Sequence, residues 1–291
     1  MNDLNFSMSI QSWAILPIGL PVVCLAIRGL LSMIKSDHVV PVYVINLLIS
    51  DVLKMCGRPV VLSMAPSGWV YELVAFLYCS GMHASISFML CIAGERYTMI
   101  VHPLWYRFHR TIKKSILCSM TVWMVTFVSL GVLVLAAVKD IIGVGTVFVS
   151  WSIFGLLPYP FALFFFVETW RALSKSISIP PREQRRIMGT LALVLIIYSA
   201  SFLPNIVVTL LMSLSPWMFT DHSFQLLAQG TTALLSLNLL ADPVLYVFMG
   251  KRSSASLSCC RCSRGSHQEE RERTATSPPL MNTTSSSSGA T

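Results

Sequence analysis

Residues 187–214 read IMGTLALVLIIYSASFLPNIVVTLLMSL, a run of 28 positions without an acidic or basic side chain. An α-helix rises about 1.5 Å per residue, so roughly 20 mainly apolar residues are enough to cross the hydrocarbon core of a bilayer. Lipid offers no hydrogen-bond partner, and the backbone amides of such a segment must therefore bond within their own helix. The stretch predicts a membrane-spanning helix.

The rest of the chain has the same character, with 54% hydrophobic and only 12% charged residues among 291. A soluble fold of this composition would expose far more apolar surface than water tolerates. The sequence predicts an all-α membrane protein, a seven-transmembrane helix bundle followed by a short cytoplasmic helix and a disordered tail. The seven predicted spans are Trp13–Ile34, Val39–Leu62, Glu72–Ile100, Ser115–Val138, Val149–Leu173, Ile187–Leu214 and Phe224–Phe248.

Composition divides the chain into four regions, because the connections between spans are too short for a second globular domain. We expect an extracellular N-terminus over 1–12, the membrane domain over 13–248, a juxtamembrane segment over 249–262 and a polar tail over 263–291. The first span has no basic residue before it and basic residues at its far end, the reverse of a cleaved signal peptide. We therefore interpret it as a retained span.

Lys and Arg set the orientation, because cytoplasmic loops retain positive charge during membrane insertion. With the N-terminus outside, the predicted outer loops hold only Lys139. The net charge of +8 then belongs to the cytoplasmic surface, where anionic membrane lipids attract it, and nucleic-acid binding explains it less well. The basic residues on the cytoplasmic side are Lys35, Arg107, Arg110, Lys113, Lys114, Arg171, Lys175, Arg182, Arg185, Arg186 and six in the tail. We expect a multi-pass plasma-membrane protein, with Asn5 of Asn5-Phe6-Ser7 as an exposed glycosylation acceptor.

Ionisable residues inside a membrane are costly, so each one is a functional hypothesis. The second span carries Asp51, the third ends in Glu95-Arg96-Tyr97, and the seventh contains Asp242-Pro243-Val244-Leu245-Tyr246. An arginine beside a carboxylate can be held in one state and released in another. The proline weakens the seventh helix and predicts a hinge between an acid and a tyrosine.

Together these motifs resemble those of the rhodopsin-like (class A) G-protein-coupled receptors. The ones that carry the resemblance, in order along the chain, are Leu47-x-x-x-Asp51, Glu95-Arg96-Tyr97, Trp123, Phe202-Leu203-Pro204 and Asp242-Pro243-x-x-Tyr246. Two further features resemble one branch of this family, the branch that contains purinergic, protease-activated, hydroxycarboxylic-acid and proton-sensing receptors. They are Asp242 before Pro243 and Gly19-Leu20-Pro21 in the first span.

The resemblance implies a receptor that transmits an extracellular ligand signal to a heterotrimeric G protein. Glu95, Arg96, Tyr97, Phe202, Pro204, Asp242, Pro243 and Tyr246 would then form the coupling and switch residues. In this family Arg96 would be freed to meet the G protein while Tyr246 swings inward. Asp51, Ser85, Asn238 and Asp242 would form the polar cluster that often holds a sodium ion; we expect no other cofactor and no metal site.

The sequence departs from the family pattern at several positions. Val23 occupies the position of the first helix where the family usually has asparagine. In the sixth helix Phe202, preceded by Ser201, occupies the position of the family's tryptophan switch. In the fifth helix Phe166 occupies the position of a tyrosine. Tyr71 occupies the place of the family's extracellular half-cystine, and the predicted second outer loop lacks its partner. These departures motivate the alternative function, a receptor-fold decoy, dimer partner or constitutively biased receptor with weak coupling.

Lys54 and Arg58 follow Asp51 on one helical face. Two interpretations stay open: the cations bind an anionic ligand, with His83 adding a contact, or Asp51 neutralises Lys54 while Arg58 snorkels outward. The ligand itself, a small molecule or a lipid, is not identified by these residues.

The cytoplasmic tail carries candidate modification sites. Cys259, Cys260 and Cys262 lie just past the last span, where juxtamembrane cysteines are candidates for palmitoylation. Serines and threonines of 263–291 are candidates for phosphorylation that recruits an arrestin, and a solvated tail without a partner is the alternative.

Other membrane-protein classes fit less well. The sequence lacks the catalytic cluster that an enzyme would need and the internal repeat that is typical of a transporter. The seventh predicted span has no lysine that could form a Schiff base with retinal. An ion channel would need a pore-lining ring from several subunits, which one chain does not reveal.

Overall fold

The computed structural model describes residues 2–35, 42–63, 68–109, 111–175, 181–215 and 222–235, together with positions 238 and 242. Most of the described residues are helical and none of them forms a strand, which confirms the predicted all-α class. The helices are α1 Asn2–Lys35, α2 Val42–Ser63, α3 Trp69–Val101, α4 Pro103–His109, α5 Ile112–Val138, α6 Val144–Leu156, α7 Pro158–Lys175, α8 Pro181–Ile197, a π-helical turn Tyr198–Phe202, and α9 Leu203–Leu214. Residues 222–235 form a further helix, α10.

Four helices in the described residues are long and apolar enough to cross a bilayer: Trp69–Val101, Ile112–Val138, Val144–Ser174 and Ile187–Leu214. They coincide with the third to sixth predicted spans. α1 and α2 cover the first two, although α2 is less apolar because it carries Asp51, Lys54 and Arg58. α10 covers the start of the seventh. α1 begins at Asn2 rather than at Trp13, because no proline or glycine interrupts the chain before Pro17.

α3 is the central element and packs against α2, α5, α6, α7 and α8. Its closest partner is α2, and two glycines make that approach possible. A Cβ on Gly81 would lie 3.0 Å from the backbone oxygen of Ser50, and one on Gly57 would lie 2.9 Å from Cβ of Tyr78. The close packing of α2 and α3 fixes where the charged residues of α2 enter the bundle.

Prolines interrupt the fifth and sixth spans. Pro158 and Pro160 have no N–H to donate, and the fifth span is accordingly divided between α6 and α7 at Leu157. In the sixth span the Leu203 N–H bonds the carbonyl of Tyr198, five residues earlier, immediately before Pro204. A proline cannot bond the carbonyl four residues back and clashes with it, so the turn widens from α to π geometry.

α5 lies at the periphery of the bundle. Its outward face is a stripe of apolar side chains that are more than half exposed, at helical spacing: Leu117, Met124, Val128, Val132 and Leu135. Water would not tolerate such a stripe, but hydrocarbon is a suitable solvent for it. The stripe marks a lipid-facing surface.

Candidate functional site: a buried charge cluster below an apolar cavity

Lys54 of α2 lies at the centre of a buried charge cluster. Its Nζ is 2.7 Å from Oδ1 of Asp51, donates to Oγ of Ser85 at 2.9 Å, and is 3.9 Å from Oδ2 of Asp242. Asn238 donates its amide to the same Asp242 oxygen at 3.1 Å. The Lys54 side chain is 4% exposed and both carboxylates are fully buried. The structure thus brings together Asp51, Ser85, Asn238 and Asp242, the four predicted cluster residues, around an ammonium group.

The ammonium contacts several elements of the bundle. Asp51 lies on α2, Ser85 on α3 and Asp242 in the seventh predicted span, and the Phe202 ring of the π turn lies under Nζ at 5.3 Å from its centroid. This geometry is that of a cation–π contact. Phe202, the residue predicted as the switch of the sixth helix, is fully buried, and Pro204 follows it within the first turn of α9. One side chain therefore joins the second, third, sixth and seventh spans.

Arg58 is buried one helical turn above Lys54. Its Nη2 donates to the backbone carbonyl of Thr232 in α10 at 2.7 Å, so the guanidinium points across the bundle and not outward along α2. A cavity of about 10 Å³ lies between Arg58, Lys54 and Asn238, which is room for about one water molecule. A ligand of any size does not fit in this cavity as it stands.

His83 faces α6 and not the charge cluster. Its Nε2 is 3.2 Å from the carbonyl oxygen of Trp151, its Nδ1 is 3.3 Å from that of Cys79, and its ring meets the Trp151 ring edge to face. In a neutral imidazole one of the two nitrogens carries the proton, and it donates to the carbonyl that it faces. The geometry places His83 as a link between α3 and α6 beside the larger cavity.

A larger cavity of about 510 Å³ opens at the end of the bundle where α2 ends and α3 begins. We call it the outer cavity. Most of its lining is apolar or aromatic, including Phe76, Leu130, Trp151 and Leu235. The polar groups that line it are Tyr71, Glu72, Tyr78, Asn205, Thr209 and Thr232. Among the described residues that line the outer cavity, Glu72 is the one with a charged side chain, and neither Lys54 nor Arg58 is in this lining.

The opposite end of the bundle holds the Glu95-Arg96-Tyr97 motif. Tyr106 of the short helix α4 donates to Oε1 of Glu95 at 3.5 Å. The Tyr97 ring stacks on Phe165 of α7 at a centroid distance of 5.1 Å and contacts the His102 ring edge to face. The motif thus lies where α3, α4 and α7 meet, at the end of the bundle that carries the basic loops.

Trp123 of α5 is positioned by the second span. Its Nε1 donates to Oδ1 of Asn46 at 3.0 Å, and the amide of Asn46 donates to the carbonyl of Val42. Rings of Phe88 and Phe127 pack against the indole at 5.8 and 5.3 Å. This bond links α5 to α2.

Two of the departures from the family pattern belong to apolar packing: Val23 is buried in the hydrophobic core, and Phe166 is partly buried and packs against it. Tyr198 of the π turn supplies a phenol close to the fifth span instead: its hydroxyl donates to the carbonyl of Gly155, and its ring stacks on Tyr159 at 5.2 Å. Sequence reasoning missed Tyr198. The run from Tyr198 to Pro204 could have indicated it, because a proline in mid-span predicts a widened turn just before itself.

Several predicted residues lie outside the described part of the chain. These are Pro243 and Tyr246 of the seventh span, the cysteines Cys259, Cys260 and Cys262, the tail 263–291, and the side chain of Asn5. The hinge, palmitoylation, arrestin and glycosylation predictions therefore stay predictions, and so does the sodium prediction. Among the described residues, no group of three or more His, Cys, Asp or Glu side chains is arranged to hold a metal ion.

Comparison with known proteins agrees with this geometry. The model of the family described as "7 transmembrane receptor (rhodopsin family)" matches residues 22–246. G-protein coupled receptor 68 of Mus musculus is 25% identical, over 88% of this chain and 79% of its own length. G-protein coupled receptor 183 of Mus musculus is 23% identical, over 75% of this chain and 71% of its own length. A purinoceptor of Homo sapiens is 32% identical, over 32% of this chain and 31% of its own length.

Proposed function

Because this chain belongs to the rhodopsin family of seven-transmembrane receptors and is a G-protein-coupled receptor, we propose that its outer cavity receives a mainly apolar ligand. The family is a receptor family and not an enzyme family, and it implies coupling to a heterotrimeric G protein. The observation that carries the proposal is the apolar and aromatic lining of a cavity of about 510 Å³, with hydrogen-bonding groups at few positions. Such a lining is typical of small-molecule and lipid sites.

The lining argues against a phosphorylated or carboxylated ligand in this cavity. A relative is named a purinoceptor, but it matches about a third of the chain. Where the structure describes the cavity lining, it includes Glu72 and no Lys or Arg. An anionic group would lose its hydration without gaining a counter-charge. Lys54 and Arg58, the predicted anion ligands, are engaged by Asp51 and by the Thr232 carbonyl below the cavity. A neutral lipid or sterol-like molecule with a hydroxyl suits Asn205 and Thr209.

The path from the cavity to the cytoplasmic end runs through the buried charge cluster. Thr232 lines the cavity, and its backbone carbonyl accepts from Arg58. A ligand that displaces α10 changes this bond, and α10 leads to Asn238 and Asp242 beside Lys54. At the other end Arg96 is the residue that the family resemblance assigns to the G protein. We place the receptor in the plasma membrane with its N-terminus outside, in agreement with the positive charge of the opposite loops.

The experiment is a nucleotide-exchange assay on membranes in which the chain is expressed with a panel of G proteins. Sterols and long-chain alcohols are compared with nucleotides and small carboxylates at matched concentration. We expect the neutral lipids to raise exchange, and Ala75→Phe, which fills the cavity from α3, to reduce that response at least tenfold. Leu73→Phe is the matched control, since Leu73 lies on the same helix, is exposed and does not line the cavity.

Two results would contradict this function. A response to nucleotides or carboxylates that Ala75→Phe leaves intact would overturn the ligand class. No exchange above that of Arg96→Ala on any G protein, with normal surface expression and with all ligands, would instead favour a decoy or dimer partner. The first result rejects the ligand and retains the receptor, whereas the second rejects coupling.

A further inference from the structure

The charge cluster already holds an ammonium group at the oxygens that a free sodium ion would need. The residues that the family resemblance assigns to sodium are Asp51, Ser85, Asn238 and Asp242, and the Lys54 ammonium already contacts Asp51 and Ser85 at 2.7 and 2.9 Å. A second cation at these oxygens would lie within a few ångströms of Nζ, where two positive charges repel strongly at low dielectric. The cluster therefore fits the ammonium and not a free ion.

The cluster already contains a positive counter-charge for its two acids. Nζ of Lys54 lies 2.7 Å from Oδ1 of Asp51 and 3.9 Å from Oδ2 of Asp242, so the ammonium lies between the two carboxyl groups. Arg58 lies one turn away and is engaged by the Thr232 carbonyl.

The Lys54 ammonium is held beside the two carboxyl groups by the packing around its side chain. The side chain is 4% exposed, and the ring of Phe202 lies 5.3 Å below its charge. A Cβ on Gly81 would lie 3.3 Å from Cγ of Lys54, so α3 confines the aliphatic stem from the side. Nζ could leave the carboxylates only by displacing these neighbours.

We propose that Lys54 is a built-in cation that replaces exchangeable sodium, so that the folded receptor is indifferent to sodium. The proposal concerns regulation of the receptor and is independent of the ligand class proposed above. It also predicts that removing the ammonium while keeping the carboxylates creates a site that a sodium ion can fill.

The test is the thermal unfolding of the purified full-length chain in detergent, in sodium chloride or potassium chloride of equal ionic strength. We expect the same Tm in both salts for the unaltered chain. For Lys54→Met, which keeps length and removes charge, we expect a lower Tm that sodium raises by roughly 3 °C relative to potassium. Adding Asp51→Asn to Lys54→Met should abolish this sodium effect, because the carboxylate that attracts the ion is lost.

Lys139→Met is the matched control, because Lys139 caps the far end of α5 and is exposed. It should leave the Tm equal in the two salts. A sodium-specific rise in the Tm of the unaltered chain would overturn the proposal, as would a Lys54→Met chain whose Tm is the same in both salts. If Lys54→Met is not recovered folded, Lys54→Gln replaces it, and the unaltered chain remains an independent test.

Discussion

At the scale of single residues, substitutions at buried charged groups should have the largest effects on stability. Breaking a buried ion pair by removing one partner costs about 3–5 kcal/mol, because the other charge is left without compensation. Removing both partners is much cheaper, since no buried charge remains. The contact of Lys54 with Asp51 at 2.7 Å, in a fully buried setting, is where this asymmetry should be largest.

We predict that Asp51→Asn lowers the Tm in potassium chloride more than Asp51→Asn combined with Lys54→Met does. The single change leaves the Lys54 ammonium with Asp242, 3.9 Å away, as its nearest acid. The double change removes the ammonium together with its closest acid, so Asp242 is the one ionisable group left of the three and no buried cation lacks its partner. Thermal unfolding of the two purified variants and the unaltered chain checks this, and a double variant whose Tm is equal to or below that of Asp51→Asn would contradict it.

The bond between Trp123 and Asn46 gives a second prediction at this scale. Interhelical hydrogen bonds in membranes average about 0.6 kcal/mol and reach about 1.7. Trp123→Phe removes the 3.0 Å bond from Nε1 and keeps most of the ring contact with Phe88 and Phe127. We expect destabilisation of about 1 kcal/mol in the free energy of unfolding, with Asn46→Leu similar. If the double variant costs the sum of the two single variants, the two residues do not interact.

Sequence alone predicted that Asp51, Ser85, Asn238 and Asp242 lie together, because they belong to spans that the family brings into contact, and the structure has them around one ammonium. The sequence did not decide the partner of Lys54. The three-residue spacing from Asp51 is equally compatible with a cation that binds a ligand and with an internal ion pair. Arg58 shows the limit clearly: its bond to the Thr232 carbonyl joins positions 174 residues apart, which no local pattern encodes.

At the scale of secondary-structure elements, the α2–α3 contact decides where the charged residues lie. Alanine is a better helix former than glycine by about 1 kcal/mol, so Gly→Ala in an unobstructed helix should stabilise. The nearest atom to a Cβ on Gly131 is Cε2 of Phe76 at 4.0 Å, whereas a Cβ on Gly81 meets a backbone oxygen at 3.0 Å. Gly→Ala at position 131 of α5 therefore reports mainly the change in helix propensity, whereas Gly→Ala at position 81 of α3 also reports the cost of the close packing against α2.

We predict that Gly131→Ala leaves the Tm unchanged or raises it, and that Gly81→Ala lowers it, because α2 must shift away from α3. Overpacking of this kind typically costs about 1–3 kcal/mol. Differential scanning fluorimetry of both purified variants provides the measurement. Equal shifts for the two would show that the close approach at Gly81 has no energetic weight.

Among the elements, the long apolar spans were predicted to within a few residues, because length and hydropathy are properties of the segment itself. The division of the fifth span at Leu157 and the π turn before Pro204 were not predicted. Their cause is local, the missing N–H of Pro158, Pro160 and Pro204, but the sequence does not say how neighbouring helices accommodate each interruption.

At the scale of the whole molecule, orientation follows from the distribution of basic residues. The first residue of α3 and the short helix α4 lie at opposite ends of the bundle. Each presents a well-exposed apolar side chain, Trp69 at 75% and Leu104 at 74%. These two positions make a matched pair of reporters for the two faces of the membrane.

We predict that Trp69→Cys reacts with a membrane-impermeant maleimide on intact cells, and that Leu104→Cys reacts only after permeabilisation. The unaltered chain is the control for labelling of the existing cysteines, of which Cys24 and Cys56 are exposed. Labelling of both variants on intact cells would place positions 69 and 104 on the same side of the membrane and would reject the seven-span topology.

A cation site that is filled by a side chain differs from one that is filled by a dissolved ion in what determines its occupancy. A dissolved ion is bound in proportion to its concentration and its dissociation constant, and dilution empties its site. An ammonium carried by a side chain of α2 has a fixed stoichiometry of one, set when the chain folds. The resting state of this receptor should accordingly be the same in a sodium medium and in a potassium medium of equal ionic strength.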